Sequence, residues 1–165
     1  MCIRDRAWRA LRGHTVLAEG DDWTAEKLIG LQRDTVNLEA AVMLPVMLAD
    51  VGPAQLGPRT AEMVALLSEW DYRMVVDSPA PLIFEAWRAA LHRYLIGLHL
   101  DAELTEVWLD SRLSEAPVTR AVIFGGPMWD DPATEGAQET RQTGSVVALE
   151  AVSYTHLTLP TKCGG

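Results

Sequence analysis

The sequence predicts a mainly α fold, and three observations carry that expectation. Apolar residues recur at three- and four-residue spacing through several long stretches, which is the period of one buried helix face. No alternating apolar–polar run is long enough for a sheet. Proline and glycine gather in short stretches, chiefly Asp50 to Pro58 and Gly125 to Pro127, that separate the periodic segments as loops do.

Composition narrows the class of partner. The 165 residues are 48% hydrophobic and 22% charged, enough chain for one globular core and too apolar for disorder. No apolar run approaches the ~20 residues of a membrane span, so no membrane partner is expected. With 23 acidic residues against 14 basic ones and no basic block, no nucleic-acid partner is expected either.

The two ends read differently from the middle. Met1 to Arg6 is the translation of the transposon-end adapter used in preparing fragment libraries, and Val152 to Thr161 translates the reverse complement of the same adapter. Such segments are set aside in fold reasoning. The expected division is therefore 1–6 as an adapter-derived tail, 7–151 as the biological part, and 152–165 as a second adapter-derived tail. Both tails are expected to pack against nothing. Cys2 and Cys163 leave with them, so no disulfide or thiol argument remains. The middle keeps 22 acidic and 11 basic residues, a net charge of −11. A reading frame bounded by adapter is expected to be an internal piece of a longer gene.

The elements follow in order. Asp22 or Thr24 can cap a helix from about Ala25 to Leu48, with Glu26 in its first turn and Leu28, Leu31, Thr35, Leu38 and Val42 on the buried stripe. Pro45 should kink or end it. Pro58 suits a first helical turn, and a second helix should run to Trp70 with Met63, Leu66, Leu67 and Trp70 inward. Ser78 and Pro79 open a third helix to about Leu98, with Leu82, Phe84, Ala86, Trp87, Leu91, Leu95 and Leu98 mostly inward. A weaker helix is expected from after Asp101 to Ser114, one short strand from Val118 to Phe124, and a final helix after Thr134.

Candidate chemistry is thin. His92 and His99 lie two helical turns apart and Glu85 two turns before them, but seven residues span about 10 Å along a helix, too far for side chains to share one ion comfortably. Gly125-Gly126-Pro127 lacks the Lys-Ser/Thr of a phosphate loop and reads as a turn. No Gly-x-Ser-x-Gly elbow occurs, and Ser78 reads as a helix cap. Asp21-Asp22 and Asp130-Asp131, beside Trp23 and Trp129, read as helix-start and solvated carboxylates. No catalytic, cofactor-binding or metal-ligating residue is assigned.

Three motifs in order add a resemblance. Leu28-Ile29-Gly30-Leu31-Gln32-Arg33-Asp34-Thr35 followed by Leu44-Pro45, then Leu66-Leu67-Ser68-Glu69-Trp70-Asp71 with Asp77-Ser78 and Phe84-Glu85-Ala86-Trp87, then Trp129 to Glu135 with Glu139, resemble blocks of the penicillin acylase (penicillin amidase) family. The agreement runs through roughly Thr24 to Ala151, and the Pro79-Ala80-Pro81 start and the Gln142-Thr143-Gly144 segment depart from it.

The resemblance implies an αββα N-terminal-nucleophile hydrolase as the parent, in which a new N-terminal Ser attacks an amide carbonyl with its own α-amino group as base. It implies that the nucleophile, the oxyanion Asn, its Arg and the calcium ligands lie upstream of this chain. No cofactor is then expected here, with calcium a feature of the parent. The implied partners are the remaining small and large chains of the precursor and a small amide substrate, in a periplasmic or secreted setting. Gln32 and Asp34 would satisfy loop backbone, and Asp71, Asp77 and Ser78 would fix the inter-helix turn. The chain is thus read as an inactive helical scaffold of an amidase, the alternative being a free-standing helical interaction domain. As a scaffold, it should leave the apolar faces around Trp70, Phe84 and Trp87 turned to water.

Overall fold

The computed structural model describes residues 7–154 apart from 53, 112–114 and 137. The expectations for residues 1–6 and 155–165, and for the end of the weak helix near Ser114, lie outside the described residues. Eight α-helices occur among those described: α1 Ala7–Ala18, α2 Ala25–Gln32, α3 Leu38–Val51, α4 Pro58–Ser68, α5 Ala80–Gly97, α6 Ala102–Asp110, α7 Glu115–Phe124 and α8 Arg141–Tyr154. The fold is mainly α, and the extended pairing described is a single antiparallel bridge between Val36 and Arg73.

Helix α5 is the axis of the bundle. It packs against α8, α4, α6 and α7, while α3 packs against α8, α7, α4 and α1. Ile83, Phe84, Trp87, Leu91 and Leu95 are wholly buried, at the spacing of one helix face. The Trp87 indole N–H crosses to the Ser145 carbonyl at 3.0 Å, so the largest core side chain has its polar atom satisfied. Trp129 does the same with the Ala121 carbonyl at 3.1 Å. Trp70, Phe84 and Trp87 therefore do not face water, contrary to the expectation for a scaffold lacking its sheet. The helices α3, α4, α5, α7 and α8 close over them within this chain. Leu82, expected inward, is 59% exposed because it falls outside the Ile83–Trp87–Leu91 stripe.

The single helix expected over residues 25–48 is two. Asp34 Oδ1 accepts the Val36 N–H at 2.7 Å, and Asn37 Oδ1 accepts the Ala40 N–H at 3.0 Å as the cap of α3. These local bonds compete with helix continuation, and β-branched Thr35 and Val36 offer it little support. Leu28 and Val42, placed on the buried stripe, are exposed as a result, and α2 buries no residue. Thr24 is the observed cap of α2, accepting the Lys27 N–H.

Pro45 neither ends nor bounds α3, which continues to Val51. Its ring lies on the exposed face, while Met43, Leu44, Met47 and Val51 are fully buried on the other. Packing on both sides of the missing backbone bond outweighs its loss.

Val118 to Phe124 is helix α7 and not a strand: Val118, Ala121 and Val122 are buried and Arg120 and Phe124 exposed, a helical spacing that a short apolar run hides. Helix α1 went unanticipated. The final helix expected after Thr134 is α8, which begins only at Arg141 because the intervening loop is closed on itself. Glu139 accepts the Asp131 N–H at 3.0 Å and the Thr134 hydroxyl at 3.0 Å. Helix α8 then runs to Tyr154, and Val152 and Ser153 are buried. The expectation that residues from 152 onward pack against nothing fails at these two positions. Val152 lies four residues after Ala148 and three after Leu149, so simple continuation of the helix carries it into the core.

Candidate functional site

A cleft of about 650 Å³ lies where α1 faces the α2–α3 junction and the first half of α5. Two resemblance motifs meet there, Gln32 and Asp34 from one and Glu85 from the other, and Met74 follows the Trp70-Asp71 pair into the same wall. Four of its charged groups form two pairs. Arg12 reaches Asp34 Oδ2 through Nε at 3.0 Å and Nη2 at 2.7 Å. Arg88 reaches Glu85 Oε2 at 3.0 and 2.9 Å. The Asn37 amide lies 3.4 Å from Glu85 Oε1.

Behind the cleft, two chain segments pair as a short antiparallel ribbon. The Asn37 N–H donates to the Tyr72 carbonyl at 2.8 Å and the Met74 N–H to the Thr35 carbonyl at 2.9 Å. Val36 and Arg73 face each other between these bonds, so their own N–H groups point outward. A motif aspartate covers each: Asp34 takes the Val36 N–H, and Asp71 takes the Arg73 N–H at 3.0 Å. The Trp70 indole N–H covers the Arg73 carbonyl at 3.0 Å. The aspartates of the two motifs thus perform one task on opposite strands, closing edges that would otherwise be open for pairing. Tyr72 between them is held at φ 63°, a left-handed conformation that costs a non-glycine residue of order 1 kcal/mol.

The other named residues fall as follows. Gln32 is exposed and contributes its backbone carbonyl, which accepts from Arg9 at 3.3 Å, so it does not satisfy buried backbone as expected. Asp77 is exposed; the turn is held by Asp71 and by Ser78, whose hydroxyl accepts the Ala80 N–H at 3.3 Å. Asp131 Oδ1 accepts the Ala133 N–H at 2.8 Å. His92 is buried in α5, whereas His99 lies beyond that helix's end and bonds the Met128 carbonyl at 2.8 Å. Among the described residues, no group of three His, Cys, Asp or Glu is placed to hold a metal, and no helix is long and apolar enough to cross a membrane.

Sequence reasoning missed an ion pair in the core. Asp50 is 4% exposed and binds Arg141 through Oδ2–Nε at 2.7 Å and Oδ1–Nη2 at 3.1 Å. Ser145 adds a bond to Oδ2 at 3.3 Å, and Arg141 Nη1 donates to the Val122 carbonyl at 3.2 Å. The signal that could have found it is small: Asp50 follows an apolar helical run and Arg141 precedes one.

Asp34 gives the junction a pH dependence. Burial pushes its carboxyl up, but the Val36 N–H and the Arg12 guanidinium outweigh burial and hold it below the ordinary aspartate value. A lowered folded-state pKa means stability that is complete above the unfolded value near ~4 and is lost as pH falls through the folded one. The melting-temperature difference between the natural chain and Asp34→Asn should therefore be full at pH 6 and shrink below about pH 4. A difference that grows on acidification would contradict this assignment.

Fold and cleft together define an all-helical unit whose motif carboxylates fasten turns, ribbon edges and helix starts. The chain belongs to the penicillin amidase family: the family model described as penicillin amidase matches residues 4–159. No solved structure matches it.

Proposed function

We propose that this chain is a helical scaffold segment of an amidase that hydrolyses the acyl-amide bond of β-lactams or of other N-acyl compounds such as acyl-homoserine lactones, and that it is inactive alone. The family match supports the amidase. The scaffold role rests on one observation: the motif carboxylates Asp34, Asp71 and Asp131 each accept a backbone N–H two residues on. Groups committed to local backbone bonds organise turns and do not stand ready for proton transfer. The parent would work as an N-terminal-nucleophile hydrolase, its remaining chains supplying nucleophile and oxyanion donors, with calcium in the parent and a periplasmic or secreted setting.

The purified chain should give no hydrolysis of phenylacetyl, aliphatic-acyl or homoserine-lactone amides. Turnover abolished by Ser78→Ala would overturn the scaffold reading, since it would put a nucleophile where the hydroxyl holds a turn. Reading the gene upstream should reveal a processing junction followed by serine. The closed core favours a second reading, a free-standing helical interaction domain. An upstream sequence without such a junction would select it.

A further inference from the structure

We infer that residues 8–32 form an arm that opens away from the helical body about Arg33, with the Arg12–Asp34 ion pair as its latch. None of residues 8–39 is buried, whereas the core of the chain starts at Ala40. The arm's apolar side chains stay half outside: Leu11, Leu17, Leu28 and Ile29 are each between 43% and 49% exposed. Between arm and body lies the 650 Å³ cleft, with Trp8, Arg9 and Arg12 on one wall and Asn37, Glu85 and Arg88 on the other. Open space there means that few packed contacts are lost when the arm swings out, and elements with little apolar burial open at the lowest free energies.

The hinge is equally local. Helix α2 ends at Gln32 with Arg33 as its cap, and from Thr35 onward the chain is bonded to residues 72–74 of the body. Asp34 stands at the boundary, anchored on the body side through the Val36 N–H and reached from the arm by Arg12. The pair is partly open to water, its side chains 29% and 17% exposed, so salt weakens it. This device is independent of the proposed activity.

Hydrogen exchange on the full chain tests it. Amides of α1 and α2 should exchange at least roughly 100-fold faster than those of α5 and α8. Arg12→Ala should speed α1 and α2 by about two- to fivefold and leave α5 unchanged, because it removes the latch while Asp34 still holds Val36. Raising sodium chloride from 0.05 to 1 M should act in the same direction. Arg93→Ala, which removes the Arg93–Glu106 pair of the body, should leave the arm's rates unchanged. Equal rates for α1, α2, α5 and α8 in the natural chain would overturn the inference. So would an Arg12→Ala variant that leaves the arm unaffected or speeds α5 equally.

Discussion

Asp50→Ala is expected to lower the unfolding free energy by about 3 kcal/mol, the scale for breaking a buried pair, and the melting temperature by roughly 10 °C. The carboxylate sits near the C-terminal end of α3 and binds the first residue of α8. A cation at a helix N-terminus is unfavourably placed against the helix dipole, so Arg141 depends on Asp50 for its position. Deleting the carboxylate removes three side-chain bonds from the α3–α8 seam, two to Arg141 and one to the Ser145 hydroxyl. Arg141→Leu should cost more, about 3–5 kcal/mol, because it leaves the anion buried without its cation. Thermal and urea unfolding of both variants measures this directly. A loss under about 1 kcal/mol for Arg141→Leu would mean that Asp50 finds water or another donor, and the pair would then not be what docks α8.

Gly144→Ala should destabilise by about 1–3 kcal/mol, the range for overpacking a closed core, although alanine is the better helix former. A Cβ at Gly144 would stand 2.7 Å from Trp129 Cζ3 and 2.8 Å from Tyr94 Cε1. Both rings belong to the wall where α5, α8 and the 127–129 turn meet, and ring edges have no free rotamer to retreat into without moving their helices. Gly30→Ala is the matched control. It is also a helical glycine, but nothing lies within 4 Å of its Cβ position, so the change should be neutral or stabilising by up to about 1 kcal/mol. If both substitutions shifted stability alike, the close approach at Gly144 would not be real. The Gln142-Thr143-Gly144 departure from the family pattern thus acquires a physical role, since only glycine admits the two rings.

Sequence alone was sufficient for the helical class and for the elements whose signals are local. Pro58 at a helix start, Thr24 as a cap and the Phe84–Trp87–Leu91–Leu95 spacing of α5 all act within one or two turns, so period and cap chemistry suffice to read them. The family resemblance was legible for the same reason, as short blocks in order. Tertiary structure alone decided the rest. It let α3 run through Pro45 because Met43, Leu44, Met47 and Val51 hold the helix on either side, and it made 118–124 helical because the short apolar run Ala121–Phe124 suits either period until neighbours choose. It also broke residues 25–48 in two, where Asp34 and Asn37 trade helix continuation for turn and cap bonds and residues 72–74 take the freed backbone. The Asp50–Arg141 pair and the Gly144 contact join residues far apart in the chain. Contacts between distant residues leave no periodicity in the sequence, and only the packing of α3, α5 and α8 brings them together.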